Sequence, residues 1–549
     1  LAGIAAVAGA FVLPGLDHVE AASIVHVSTS GSDSSNGSAG APVRTVKRAV
    51  QIARAGDTVQ IGAGTYHEEV QVYAKQLHIE AAPGADVVFD GARSVTGWTR
   101  VPMGWAASWN TDFSRAAGPH TTAERPEAGW PEQFFVDGDE LVEVTSSAVV
   151  QAGTFFHDRS SGQVIIGSDP TGRLVEGSDL AWAFYLNRAD GSSLSDVTVR
   201  RYATPTTNMA AIRAYANDLR IADVTIEDNA YMGVSVMGND IELTGVVTRN
   251  NGHLGAHSHR TNGLDISDTV ISGNNAEQFD PFHAAGGIKM TESSNIRITD
   301  SEVTSNAGPG IWTDLAATDI VLTGNTVTGN SRSGIELELS TRAIVANNVV
   351  THNGEAGVWV LESSDVDIWH NAIFDNFRDI WVLDGPRSDV DGVRIVNNTM
   401  GGIGRGAPAI MNVDDWTSDR SAEEMHVSLA ANRYWLPADS TTARLSRWAD
   451  WPDGVRLSSD LAQHRATTSQ DHDAQVSTAA TNPYTVGSPD FRPPSGSALG
   501  RPLSGPVASA LSVAGTAHPP GPISQFDTAP STTTTTPSTT TTTPSTTTT

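Results

Sequence analysis

An all-β solenoid with three short strands per coil is predicted by three features of this 549-residue sequence. The first is a repeat of about 23 residues between Leu219 and Met400. Asparagine recurs at Asn229, Asn251, Asn274, Asn306, Asn330, Asn353 and Asn376, in steps of 22, 23, 32, 24, 23 and 23 residues. A fixed period of this length is the mark of a stacked-repeat fold, in which each unit buries its apolar face only against its neighbours. The second is the content of one period. In NAGPGIWTDLAATDIVLTGNTVTGN (306–330), apolar residues fall two apart in three short groups, Ile311, Ile320/Leu322 and Val327. Gly, Asn, Thr and Asp separate the groups, which gives strand periodicity broken by turns and leaves no run long enough for a helix. The third is a second column, Asn325, Asn348, Asn371 and Asn398, spaced for amides that stack from coil to coil. Leucine-rich repeats share the period but need a regular Leu framework, which is missing. A parallel β-helix follows.

Taken in chain order, the elements divide as 1–22, 23–91, 92–181, 182–400, 401–515 and 516–549. Residues 1–22 (LAGIAAVAGAFVLPGLDHVEAA) are apolar, and Val19-Glu20-Ala21 offers a signal-peptidase site, so the segment reads as the remnant of a signal peptide. The apolar run is too short and too rich in Gly and Ala to span a bilayer. Residues 23–91 hold the first coils and an N-terminal capping helix. Val46, Ala49, Val50 and Ala53 lie at helical spacing within 43–55, with Gly56 as the stop. Such a helix covers the sheet edge that the first coil would otherwise expose. Residues 92–181 break the repeat, carry Trp98, Trp105, Trp109 and Trp130, and contain QFFVDGDELVEV, a hairpin turning at Asp137-Gly138. They read as an inserted β-subdomain whose Trp residues serve chiefly its own small core. The period decays after Met400 into C-terminal coils and a cap. The Thr/Pro-rich segment 516–549 ends in PSTTTTTPSTTTTTPSTTTT, which lacks apolar residues for a core, and the segment reads as a disordered stalk, a possible cell-wall tether.

The repeat resembles the right-handed parallel β-helix proteins of the pectate-lyase-like superfamily. The N-terminal segment, a Gly-Ser-Asp loop, a helix and GDTV…GTY, is similar to the start of many secreted β-helix carbohydrate enzymes, including the family 9 polysaccharide lyases. The resemblance implies a secreted or cell-surface protein acting on a polysaccharide. The chain has no cysteine, which excludes a disulfide framework, thiolate nucleophiles and zinc–cysteine sites. Its formal charge of −28, from 62 acidic and 34 basic residues, argues against nucleic acid. The same charge repels an anionic polysaccharide unless a local basic group or bound Ca²⁺ offsets the field. A monomer without a membrane span is expected.

Within each Gly-apolar strand, residues two and four after the Gly point outward, and stacked coils place equivalent positions about 4.8 Å apart. One outward column is Arg213, Ser235, His257, Lys289, Trp312, Glu336, Trp359 and Trp381; the next is Tyr215, Met237, His259, Thr291, Asp314, Glu338, Leu361 and Leu383. Ionisable residues gather at the centre, with tryptophans beside them. The 32-residue step adds a loop, AEQFDPFHAAGG, carrying Asp280 and His283 directly before Lys289. Oversized loops in regular repeats are usually functional. Outward charges on a solvated sheet are also ordinary, and a Lys between carboxylates can be only a salt-bridge ladder. The coincidence of charge, aromatics and loop favours a groove for an extended glycan.

Candidate catalytic residues are Lys289, Asp314, Glu336, Glu338 and His257; candidate substrate contacts are His259, Arg260, Asp280, His283, Trp312, Trp359 and Trp381. As implied by the resemblance, a lyase would use Lys289 as base, with Asp314, Glu336 and Glu338 holding Ca²⁺ that neutralises a uronate. The family 9 aspartate pair is absent here, since Asp414-Asp415 lies outside the repeats. A glycoside hydrolase would use a carboxylate pair: Glu336 and Glu338 have Cα atoms roughly 6.6 Å apart, and Asp314 neighbours Glu338 at roughly the coil spacing. His257 or His259 could serve as base in a uronate epimerase. A binding module or adhesin would use the tryptophan groove without chemistry. β-Elimination by a lyase is the leading expectation.

Overall fold

The computed structural model describes residues 22–115, 120–402, 409–436, 444–477, 500–513 and 515–523. Residues 1–21 of the expected leader and 524–549 of the expected stalk fall outside the described residues, whereas Ile523, also placed in the stalk, is buried against the first sheet.

Three sheets of thirteen strands each run the length of the molecule. The first begins at Ile24–Val27, the second at Val70–Tyr73 and the third at Gly64–Tyr66. Successive coils pair in parallel and in register, which is the right-handed β-helix expected from the period. Alternation along each strand sends Val234, Ala256, Ile288, Ile311, Ile335, Val358 and Ile380 of the second sheet into a continuous buried core. The corners between sheets use αL residues, and many are Asp or Asn (Asp223, Asn250, Asp268, Asp300, Asp375), the residue types that tolerate that region.

Both asparagine columns are buried ladders. In the longer one, Asn251 donates Nδ2–H to Asn274 Oδ1 at 3.0 Å, and Asn274, Asn306, Asn330 and Asn353 repeat the contact up to Asn376 at 2.9–3.0 Å. The second runs from Asn325 through Asn348, Asn371 and Asn398 to Asn432. Each amide also donates to a main-chain carbonyl, as Asn330 does to Val303, so these buried polar groups are satisfied.

The capping helix α1 spans Val46–Ile52, with the Thr45 side chain accepting from Arg48 N and Val46, Ala49 and Val50 facing the core. It ends earlier than expected. Ala53 is already extended, and the Asp57 carboxylate draws the chain into a turn by accepting Arg54 N at 2.7 Å, so Gly56 (φ +86°) lies in that turn rather than at the cap.

Residues 92–181 leave and rejoin without disturbing the stack, for Val70–Tyr73 pairs directly with Phe184–Asn187. They form a five-stranded and a four-stranded sheet around Trp109, Phe134 and Phe155. Phe135–Val136 pairs antiparallel with Asp139–Glu140 across the Asp137-Gly138 turn. Arg201 ties the insert to the solenoid by bonding Asp90 and Glu176. Ala128 of the insert packs with Ala210, Tyr231, Leu254 and Phe279, along the starting edge of the second sheet. Past residue 400, further coils continue the three sheets, and the helix α2 (Leu461–Thr468) follows a final antiparallel strand, Val455–Ser458. A short helix α3 (Gly505–Ala510) lies on the first sheet, where Leu503, Val507, Leu511 and Ile523 meet Ala346, Trp369 and Val396. No helix among the described residues is long and apolar enough to cross a membrane.

Candidate functional site

The second sheet aligns Ser235, His257, Lys289, Trp312, Glu336, Trp359 and Trp381 coil by coil, as the outward column requires. Its centre differs from an open groove. Lys289, Trp312, Asp314, Glu336 and Glu338 are all buried, although they sit on the outer face of the sheet. Side chains and loops arriving from outside the repeat enclose them.

Lys289 is placed as a cation. Its Nζ donates to Asp314 Oδ2 at 2.8 Å and to the His283 carbonyl at 3.0 Å, and lies 3.2 Å from the Trp312 ring centroid. All three are contacts of an ammonium. Asp314 also accepts Leu315 N at 2.6 Å. Glu338 accepts the Trp312 indole N–H at 3.1 Å and pairs with Arg387 at 2.6 Å. Arg387 pairs as well with the buried Glu362, which accepts the Arg387 main-chain N–H at 2.8 Å.

Glu336 is different. It is 2% exposed, and its Oε2 has no hydrogen-bond partner. Burial pushes its carboxyl up to about 8, with Glu338 and Glu355 adding to the effect and Arg332 and Lys289 opposing it. Its neighbour in the next coil, Trp359, presents a buried indole N–H that is also without a partner. Two unmet polar groups in adjacent coils are costly unless something else completes them. Trp359 stacks on Trp381 with centroids 4.3 Å apart, and Arg378 covers Trp381 at 3.9 Å.

The oversized loop reaches across this centre. Arg332 bonds Glu355, donates to the Pro281 carbonyl at 3.3 Å, and lies 3.8 Å from the Phe282 ring. Phe282 itself is 67% exposed. Asp280 and His283 pair with each other at 2.9 Å at the loop surface, and Asp280 N binds the His120 carbonyl of the insert.

On the other side of Lys289, His257 Nδ1 lies 3.2 Å from Ser235 Oγ, and burial lowers its imidazole to about 4, so it is neutral at ordinary pH. His259 lies 2.9 Å from Thr291 Oγ1 and parallel to His257. Arg260 has left the strip: it occupies an αL turn and pairs with Glu292 at 2.8 Å. His352 and His370 lie away from both columns and meet Asp375 and the Gly521 carbonyl.

Sequence columns did not reveal Arg332, Arg387, Glu362, Phe282, His120 or the fully buried His253, whose ring stacks on Tyr231. The donor set does not fit calcium. Asp314 is committed to Lys289 and Glu338 to Arg387 and Trp312, and burial favours the neutral form of Glu336. Among the described residues, no group of three or more His, Asp or Glu side chains is set out to hold a metal ion.

Comparison with known proteins agrees with the fold. The sequence model of the right-handed beta helix region matches residues 210–373, and that of a protein family of unknown function, DUF1565, matches 29–73. No curated protein sequence matches the chain. Among solved structures, the complex of XylC with xylose covers 77% of this chain and 86% of its own, with a TM-score of 0.61 at 16% identity. A glycoside hydrolase covers 77% and 95% (TM-score 0.45, 12% identity). The A-module of the Azotobacter vinelandii mannuronan C-5 epimerase AlgE6 covers 81% and 97% (TM-score 0.44, 12% identity). The chain is thus a right-handed parallel β-helix protein, and at these identities the likeness is one of fold alone.

Proposed function

We propose that the protein cleaves glycosidic bonds in an extended polysaccharide, with Glu336 as general acid. The observation that carries this is the buried Glu336 carboxyl, protonated up to about pH 8 and holding one oxygen without a partner. A carboxyl kept neutral near pH 7 is what protonation of a leaving glycosidic oxygen requires. Glu338, two residues along the same outward face and fixed by Arg387 and Trp312, is the second carboxylate, facing the sugar ring or its attacking water. Lys289, on Asp314, keeps positive charge near the cluster. No step is drawn through calcium. Export from the cell belongs to the same reading, supported by the apolar, signal-peptide-like segment at 1–22.

The test is a polysaccharide panel read for new reducing ends, with Glu336→Gln alongside the unaltered chain. Loss of the order of 10²–10⁴ in kcat is expected for the variant. Cleavage at an undiminished rate overturns the assignment. A second reading, β-elimination at a uronate, rests on the neutral imidazole of His257, which faces Lys289 in the next coil and can accept a proton. Unsaturated products absorbing in the ultraviolet, lost in His257→Ala and kept in Glu336→Gln, would establish that reading instead.

A further inference from the structure

Upstream of the buried cluster the outward column continues without a break through His257, Ser235, Arg213, Tyr185 and Gln71. Its character changes there. The Arg213 guanidinium lies 4.1 Å from the Tyr185 ring centroid and 5.2 Å from that of Trp182. Tyr185 meets Trp182 and Tyr215 edge-on at 6.2 and 5.8 Å. Tyr73, in the first coil of the sheet, is 55% exposed, and Trp182, Tyr185 and Tyr215 are half-buried, so ring surface remains open to solvent.

Arg213 Nε is buried and has no hydrogen-bond partner, and no carboxylate among the described residues pairs with this side chain. Arg332 and Arg387 near the same face, by contrast, both hold carboxylates. The Arg213 guanidinium lies over the Tyr185 ring, and its terminal N–H groups, which have no partner among the described residues, are left for an acceptor from outside. Aromatic faces beside a fixed donor are what a pyranose needs: C–H groups stack on the rings while a ring substituent accepts the hydrogen bond.

We propose that Trp182, Tyr185, Arg213 and Tyr215, with Tyr73 at the rim, form a distal platform that grips the far end of the glycan chain being cut at Glu336. The inference rests on the proposed function for the identity of the ligand. Six coil steps separate Tyr185 from Glu336, roughly 29 Å at the inter-strand spacing. The platform therefore serves long chains and is out of reach of short ones. Its ligand is a sugar unit that presents a hydroxyl or carboxylate oxygen to Arg213.

The test uses the full chain carrying Glu336→Gln, so that binding is read without turnover, titrated with short and long xylo-oligosaccharides and oligogalacturonides. Tyr185→Ala and Arg213→Ala are each expected to weaken binding of the long members about tenfold, the size of one stacking or cation–ring contact, and to leave the short members unchanged. Tyr185→Phe, which keeps the ring, should restore tight binding and guards against misfolding. Arg213→Ala acting on both long series points to a hydroxyl acceptor, and on the galacturonides alone to a carboxylate. Equal loss for short and long members, no loss for either, or no binding of any long member by the parent overturns the platform. Persistent cleavage by Glu336→Gln would instead defeat the catalytic reading, while the length dependence of binding still decides this one.

Discussion

The outer faces of the first and second sheets are built from the same repeat, yet they differ in how their polar groups are met. The first-sheet face holds a cavity of about 950 Å³, lined by Glu242, Asp265, Arg297, Arg342, Asp367 and Arg394. Its charges are largely paired in the open: Arg342 with Asp319 at 2.7 Å and Arg394 with Asp367 at 2.6 Å, both arginines about half exposed. The second-sheet centre instead keeps Glu336 and Trp359 buried with unmet polar atoms. Space alone therefore does not locate chemistry here. Exposed pairs exchange freely with water and contribute little, whereas a buried carboxyl without a partner is poised to act on whatever reaches it.

The comparison breaks most sharply by mutation. Glu336→Gln should reduce turnover by about 10²–10⁴, while Arg394→Ala on the first sheet leaves kcat and KM unchanged in the same reducing-end assay. A rate loss of similar size from Arg394→Ala would remove the distinction between the faces. Next in size is a structural effect common to both. Asn330→Ala deletes the rung between Asn306 and Asn353 and strands their amide groups, at a cost of about 2–4 kcal/mol in denaturant unfolding.

Titration sharpens the contrast further. The Glu336 carboxyl is raised from an ordinary 4.5 to about 8, so the folded chain binds its proton more tightly than the unfolded chain does. Stability from this group is complete below pH 4.5 and is lost as pH rises through about 8; activity falls over the same upper limb. Glu336→Gln should flatten the alkaline limb of the unfolding profile. His257 has the opposite sign: lowered from 6.5 to about 4, it holds back stability as pH falls through that interval, and His257→Asn should reduce the acid loss. The smallest effect belongs to Arg342→Ala, within about 1 kcal/mol of the parent in thermal unfolding and diminished further by salt.

What could be read in advance follows from periodicity. Ser235, His257, Lys289, Trp312, Glu336, Trp359 and Trp381 fall into one column because strand parity and coil register are both fixed by the repeat, and the pairing follows that alignment at every step. Arg387, Arg332 and Phe282 come from turns and loops outside this outward column, so no spacing announces where their side chains go. Their arrival changes the chemistry. They turn a strip expected to be open into an enclosed cluster, and the enclosure raises Glu336. Lys289 illustrates the same limit, since its position was legible, while its contacts with the His283 carbonyl and the Trp312 ring depend on loop path and rotamer.

The asparagine ladders have one more consequence. Each rung offers the next coil the same donor and acceptor that it receives, so the stack has no preferred length of its own. A coil inserted between Arg213 and His257 would leave both the reacting carboxyls and the platform intact while moving them apart by one strand spacing, roughly 4.8 Å. On the proposed function, the solenoid would act as a ruler graduated in coils, the length of polymer being set by counting repeats rather than by reshaping a pocket.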